Sequence, residues 1–262
     1  MNWDLEALKE RLTGKLFGHN FYFYSEITST NDKAFSLGIA GAPEGTAVIA
    51  DSQSRGKGRF QRSWYSPPGV NIYTSVILRP EIESLKASQI PIMAGVAVAL
   101  VLENICPSKI KLKWPNDVLL NEKKVCGILS QAKIIGKEID FIVLGIGINV
   151  NIGYSQFSEG LRDSSSSLVM ETGREISRQE LIISIYENLE KWYKQLLRKG
   201  FGEIKQSWLE LAPMIGQTVN IKFRDETIEG KAAGLAADGS LILFSKGNKE
   251  IKVSAGDATI MR

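Results

Sequence analysis

The spacing of apolar residues changes several times along the chain, and each change marks an element. Leu5, Leu8 and Leu12 recur at helical spacing and predict a short first helix. "NFYFYSEI" reads as a strand, and "TSTNDKAFSLGIAGA" as a turn entering a helix, with Ser29 and Asp32 spaced as a capping box. "TAVIADSQ" is a second strand. Ile72, Thr74, Val76 and Leu78 alternate along one face of a third. "SQIPIMAGVAVALVLENI" is apolar almost all round, the pattern of a buried helix. Next come the strands "KIKLKW", "DVLLN" and "KVCGILSQAKII", broken by "WPND" and by "NEKK", a tight hairpin turn. "IDFIVLGIGINVNI" is a glycine-interrupted central strand. "SEGLRDSSSSLVMETG" is polar and reads as loop, and Ser177 with Glu180 opens a long amphipathic helix ending near Gly200.

From about Met214 the texture changes to short, closely spaced strands, with an Asp238-Gly239 turn among them. The predicted fold is therefore α+β: a mixed β-sheet with flanking helices over residues 1–212, then a small SH3-like β-barrel over 213–262. No internal repeat interrupts this plan.

Composition narrows the function. Of 262 residues, 44% are hydrophobic and 23% charged, as in ordinary soluble proteins, and the net charge of +3 is mild for a protein that grips a nucleic-acid duplex. His19 is the sole histidine, and Cys106 and Cys126 lack metal-ligand spacing, which argues against a zinc site and against Ser-His-Asp or Cys-His catalysis. Two cysteines make no disulfide framework, so a reducing cytoplasm is expected. The charged N-terminus is unlike a signal peptide, and no apolar run reaches the roughly 18 residues of a membrane span.

The cations matter locally. In "SRGKGRFQRSW", Gly56 and Gly58 let the backbone approach a ligand, while Lys57, Arg59 and Arg62 suit phosphate or carboxylate oxygens. Trp64 offers a surface for stacking a base or for anchoring the loop. A solvated basic turn is the competing reading, and the glycine spacing is not that of a P-loop. In "KWPNDVLLNEKKVCGILSQ", Lys113, Trp114, Asn116 and Asp117 cluster at the end of a strand, and the hairpin returns Lys124 beside Gly127. That cluster reads as a plain turn or as a site. Gly127, Gly145 and Gly147 interrupt apolar strands, which suggests a slot between them.

Together "STN", "SQSRGKGRFQRSW", "KWPNDVLLNEKKVCGIL" and "GIGINV", in order from about residue 25 to 150, resemble the biotin protein ligases. The tail from Met214 resembles that family's SH3-like C-terminal domain. Some members carry an N-terminal DNA-binding domain; this chain enters the catalytic motif within about twenty-five residues, so a ligase without that domain, and without DNA as partner, is expected. The resemblance implies that ATP, with Mg2+ on its phosphates, and biotin form biotinyl-5′-AMP. A lysine of a biotin carboxyl carrier protein then takes the biotin.

By matched position, Ser29, Thr30, Asn31 and Gln53 would contact the ureido ring, and Gly127 and Gly145 would make room for the bicycle and its tail. Lys57, Gly58, Arg59 and Lys124 would hold the carboxylate and α-phosphate, with Arg62, Trp64, Asn116 and Asn149 completing the adenylate contacts. Asp117, beside Lys113, would orient or deprotonate the acceptor amine. A homodimer is left open. Ser29 has a second reading as a helix cap and Trp64 as a core anchor. Lys57 stands where the family has arginine, Gln61 where it has glycine and Cys126 where a small residue is usual. The loop is expected to order over its ligand. The rivals are a lipoate- or octanoate-transferring relative and, from another class, a nucleic-acid-binding module.

Overall fold

The structure is a computed structural model describing residues 3–223 and 226–261; Arg262, which ends the last predicted strand segment, lies outside the described residues. Seven strands form one mixed sheet in the order β1-β2-β3-β7-β6-β5-β4. These are β1 (Phe21–Ile27), β2 (Ala47–Gln53), β3 (Ile72–Leu78), β4 (Ile110–Lys113), β5 (Asp117–Leu120), β6 (Lys123–Ile135) and β7 (Glu138–Ile148). β1 and β2 run parallel, joined by the crossover helix α2 (Thr30–Ile39), and the remaining neighbours are antiparallel.

Helices cover both faces. α2 packs on one, over a small cluster of Ala34, Val48, Ile77, Phe141 and Val143. On the other lie α1 (Leu5–Leu12), α3 (Gln89–Glu103), α5 (Arg178–Lys199) and α6 (Gly202–Leu211), around the main core. Covering on both sides explains why all seven residues of β3 are buried, where alternation predicted a single buried face. The Ser84–Glu103 stretch is apolar enough to cross a bilayer, but two thirds of it (67%) is buried inside the protein, as the central element of a core requires.

α5 shows how the sequence sets an element. The Ser177 side chain accepts a hydrogen bond from the Glu180 backbone N–H at its start, and Gly200, at φ 78°, ends it. Between them Leu181, Ile185, Leu189, Trp192 and Leu196 recur on the buried face.

Two segments depart from the sequence reading. The polar stretch expected as loop holds the short helix α4 (Leu168–Thr172), and Ser165, Ser166 and Ser167 are buried. Their hydroxyls and backbone groups are used internally: Ser167 Oγ donates to the Ile152 carbonyl and Ser166 N to the Lys124 carbonyl. α6 has no counterpart in the sequence reading; it buries Ile204 and Trp208 on the way to the second sheet.

That second sheet is antiparallel, ordered β11-β10-β9-β8-β12. Its strands are β8 (Thr218–Phe223), β9 (Glu226–Leu235), β10 (Leu241–Phe244), β11 (Glu250–Val253) and β12 (Asp257–Ile260). The SH3-like size is as expected; among the described residues β11 and β12 remain its two edges. Val219, Ile221, Leu241 and Leu243 join the same apolar cluster as α3 and α6. Gln89 Nε2 donates to the Ala237 carbonyl at 2.7 Å and Trp114 Nε1 to that of Gly239 at 3.3 Å, so the C-terminal domain is fastened beside β4 and β5.

Leu189 is fully buried (0%) at the centre of the α5 face. Leu189→Ala is expected to lower unfolding free energy by about 2–5 kcal/mol, read from the denaturation midpoint; a loss below about 1 kcal/mol would place α5 outside the cooperative core.

Candidate functional site

The open ends of β2, β3, β6 and β7 form the floor of a cavity of about 550 Å³, which the C-terminal domain borders through Asp257 and Thr259. The residues matched to ligand contacts or catalysis from the sequence line this cavity: Ser29, Thr30, Asn31, Gln53, Lys57, Gly58, Arg59, Arg62, Trp64, Lys113, Asn116, Asp117, Lys124, Gly127, Gly145 and Asn149; Gly56 does not.

The polar end is a closed hydrogen-bond network. Ser29 is the N-cap of α2, its side chain accepting from the Asp32 backbone N–H at 3.4 Å. The reciprocal half of the expected capping box is replaced, because the Asp32 carboxylate turns to Lys57 Nζ at 2.6 Å. The Thr30 N–H and hydroxyl lie 2.8 and 3.1 Å from Gln53 Oε1. Asn31 Nδ2 donates to Gln131 Oε1 at 3.0 Å, and Ser75 stands behind both residues. Sequence reading missed Ser75 and Gln131.

The strand glycines make room for side chains from other elements. Gly127 and Gly147 face each other across the β6–β7 ladder, and the Trp64 indole lies on them. A Cβ on Gly147 would stand 2.4 Å from Trp64 Nε1, and one on Gly127 2.8 Å from the ring. At Gly145 a Cβ would meet Asn31 Oδ1 at 1.9 Å. Gly127 and Gly145 thus lie against the protein's own Trp64 and Asn31 at the edge of the cavity. The slot is real, and the indole anchors the loop in it, so Trp64 serves as a loop anchor here. Its buried N–H has no acceptor, and Lys124 Nζ lies 5.3 Å from the ring centroid.

The basic loop is a tight turn with more internal order than its sequence suggests. Gly58 N donates to the Arg62 carbonyl at 2.7 Å and Trp64 N to that of Gly56 at 2.9 Å. At its tip Phe60 and Gln61 adopt φ of 53° and 60°. Gln61 thus takes the left-handed conformation a glycine adopts freely, at a cost of about 1 kcal/mol, which accounts for the glycine that the sequence pattern favours there. Phe60 packs edge-on against Phe223, ring centroids 5.8 Å apart, bringing the tip onto the C-terminal domain.

Each loop cation facing the cavity has an internal anion. Asp257 pairs with Arg59 at 3.2 Å and with Arg62, while Arg59 also donates to Asn116 Oδ1 at 3.3 Å and to the Gly256 carbonyl at 3.0 Å. Burial lowers the Arg59 pKa, opposed by Asp257 and Asp117, yet a guanidinium remains protonated at neutral pH. Across the groove Lys124 Nζ pairs with Asp117 at 2.7 Å. Asp257, absent from the sequence-based set, is the anion that ties the loop to the C-terminal domain.

Lys124 is held by its backbone. It lies just before an irregularity in the β5–β6 ladder and forms a bridge with Ser165. Its N–H donates to the Ser164 carbonyl, and Asn149 Nδ2 lies 3.4 Å from the Lys124 carbonyl and 3.1 Å from that of Ser166. Asn149 therefore braces Lys124 with its amide nitrogen. Asn116 is fixed likewise, Nδ2 donating to the Ile128 carbonyl at 2.6 Å. Lys113 opposes Asp117 across the β4–β5 turn. Cys126 is fully buried, and burial pushes its thiol pKa up, as for a small hydrophobe. No group of three or more His, Cys, Asp or Glu side chains suited to a metal occurs among the described residues.

Comparison with known proteins points one way. Residues 22–149 match the biotin/lipoate A/B protein ligase family, and residues 214–260 match the biotin protein ligase C terminal domain. The bifunctional ligase/repressor BirA of Bacillus subtilis (strain 168) is 36% identical over 92% of this chain and 74% of its own length. The biotin–[acetyl-CoA-carboxylase] ligase of Paracoccus denitrificans is 30% identical over 85% of this chain and 93% of its own. Among solved structures, the biotin protein ligase of Aquifex aeolicus in complex with biotin and ATP superposes with a TM-score of 0.79 at 31% identity, covering 93% of this chain and 99% of that one.

Two substitutions test this geometry. Gly147→Ala is expected to push Trp64 off its seat, raising the exposure of its loop to limited proteolysis by about tenfold or more; an unchanged cleavage rate would mean that the indole has another anchor. Asp257→Asn is expected to free Arg59 and Arg62 and to make the loop more cleavable while leaving the melting temperature within a few degrees, since exposed pairs contribute about 0–1 kcal/mol. Equal cleavage of variant and parent would remove Asp257 from the loop's support.

Proposed function

The chain belongs to the biotin protein ligase family, and from that premise we infer that it joins biotin to ATP as biotinyl-5′-AMP and then transfers the biotin to a lysine of a carrier protein. The observation that carries this reading is the convergence of Arg59, Asn116, Asp117 and Lys124 on one groove whose other end is a buried polar wall.

In the first half-reaction a biotin carboxylate oxygen attacks the α-phosphorus of ATP, and the bond to the bridging oxygen of pyrophosphate breaks. Two anions must approach, and their repulsion must be offset. Arg59 and Lys124, from opposite sides of the groove, are aimed at the space where charge builds up, and one such donor is worth about 3 kcal/mol. To engage the ligand Lys124 turns from Asp117, and Arg59 and Arg62 from Asp257; the anion of the substrate replaces an anion of the protein. Lys57, paired with Asp32, exchanges in the same way. With no metal-ligating cluster among the described residues, magnesium would be carried by the phosphates of the nucleotide and would supply further charge neutralisation.

The ureido ring occupies the wall of Ser29, Thr30, Asn31 and Gln53. The adenine lies toward Asn116 and Asn149, whose amide nitrogens are engaged with backbone carbonyls; the Asn149 oxygen is then an acceptor for an exocyclic amine, and the Asn116 oxygen becomes one as Arg59 turns from it to the phosphate. Gly58 brings backbone close to the carboxylate, while Gly127, Gly145 and Trp64 shape the seat.

In the second half-reaction the acceptor lysine, with an ordinary pKa near 10.4, must lose a proton before attacking the acyl carbon of the mixed anhydride and expelling AMP. Once Lys124 has turned to the phosphate, the Asp117 carboxylate lacks its counter-ion; it receives the incoming ammonium and takes its proton, with Lys113 alongside. The acceptor is a biotin carboxyl carrier domain, a reading supported by the named activity of the Paracoccus denitrificans relative. Two free, buried cysteines suit a cytoplasmic setting.

Incubation of the protein with biotin and Mg-ATP is expected to yield bound biotinyl-adenylate, detected by mass spectrometry. Asp117→Asn is expected to retain this step and to slow transfer to a carrier domain by about 10²–10⁴-fold. Equal loss of both steps would show that Asp117 serves only to hold Lys124.

A further inference from the structure

Behind the polar wall lies a hydroxyl outside the cavity lining. Ser75 is fully buried (0%) in β3, across the ladder from Gly145. Its Oγ is 2.8 Å from Thr30 Oγ1 and 2.7 Å from Asn31 Oδ1. A serine has one hydroxyl proton, so it serves one of these acceptors at a time.

The two carboxamides beside it are fixed in direction. Asn31 Nδ2 donates to Gln131 Oε1 at 3.0 Å, which turns its oxygen toward Ser75. Gln53 Nε2 donates to Ser66 Oγ at 3.0 Å, which turns its oxygen toward Thr30. Two proton arrangements satisfy these distances. When Ser75 donates to Asn31, Thr30 donates to Ser75, and Gln53 Oε1 keeps only the Thr30 backbone N–H. When Ser75 donates to Thr30, Thr30 donates to Gln53, and Asn31 Oδ1 is left without a donor. The first arrangement satisfies every acceptor and leaves Gln53 Oε1 a spare lone pair at the cavity. The second strands Asn31 Oδ1, and a buried acceptor without a donor is costly, so the first prevails.

We infer that Ser75 is a positioning residue: by giving its proton to Asn31 and accepting that of Thr30 it leaves Gln53 Oε1 open to a ligand N–H while keeping Asn31 satisfied, and so favours a cyclic urea over an aliphatic or dithiolane acyl chain. This rests on the ligase reading of the same cavity. It goes beyond the ring contacts by assigning selectivity to a residue that touches no ligand. Hydrocarbon chains and disulfide rings carry no N–H donor and would cover that lone pair without meeting it, and sites built for a hydrogen-bonding group discriminate strongly against ligands lacking it.

The test measures biotin, lipoate and ATP binding by titration calorimetry, with steady-state kinetics, for the full chain and for Ser75→Ala. Biotin Kd and KM are expected to rise about tenfold, as for one lost buried hydrogen bond. ATP affinity and kcat at saturating biotin should stay within about twofold, and the preference for biotin over lipoate should narrow. Gln131→Leu, which unpins the Asn31 amide from outside the cavity, is expected to move the same quantities in the same direction and covers the case in which Ser75→Ala does not fold. Unchanged biotin affinity in the folded variants overturns the inference. So does a parallel loss of ATP affinity and kcat, because a merely structural role affects all three. A parent protein that binds lipoate and not biotin instead overturns the ligase reading itself.

Discussion

Like charges confined to one groove repel one another, and the architecture around this cavity follows from how that repulsion is contained. Lys57, Arg59, Arg62 and Lys124 all line the same space. Like charges sharing one space repel, least where solvent screens them, and Arg62 opposes the charge on Arg59. Three aspartates offset this: Asp32 for Lys57, Asp257 for Arg59 and Arg62, and Asp117 for Lys124. The pairs are partly exposed, and each adds little to global stability. Their effect is local: they hold the cations in position, and in the proposed reaction the substrate's own anions claim them.

This arrangement gives the C-terminal domain a chemical part. Asp257 opens β12, and its carboxylate and the neighbouring Gly256 carbonyl meet the loop more than a hundred and ninety residues earlier in the chain. Phe60 on Phe223 adds an apolar contact to the same junction. The other end of the loop is anchored by Trp64 on the facing pair Gly127 and Gly147. A loop fixed at its foot by an indole and at its tip by an exchangeable ion pair can release one end without losing its place. The sheet supplies rigidity, the C-terminal domain the exchangeable anion, and the hairpin of β5 and β6 the opposing lysine.

The sequence made the sheet, the long α5 helix and the line-up of cavity residues legible, because period and motif are local properties. What it hid was non-local. Asp257 sits in an unremarkable "AGDAT" stretch, and nothing near it signals a partner so distant. Ser75 lies within an apolar strand where one small hydroxyl looks incidental; only the closeness of α2 to β3 gives it two acceptors. The serines at 165–167 look like solvated loop by composition, yet their backbone braces Lys124 and Asn149. The glycines of β6 and β7 were rightly read as gaps. Which atoms fill them depends on side chains from other elements, and here these are Trp64 and Asn31.

A crystal structure with biotin and ATP bound, or with a stable analogue of the adenylate, tests the exchange of anions most directly. Arg59 and Lys124 should lie within hydrogen-bonding distance of the phosphate, parted from Asp257 and Asp117. A bound adenylate that leaves both ion pairs intact would contradict the account.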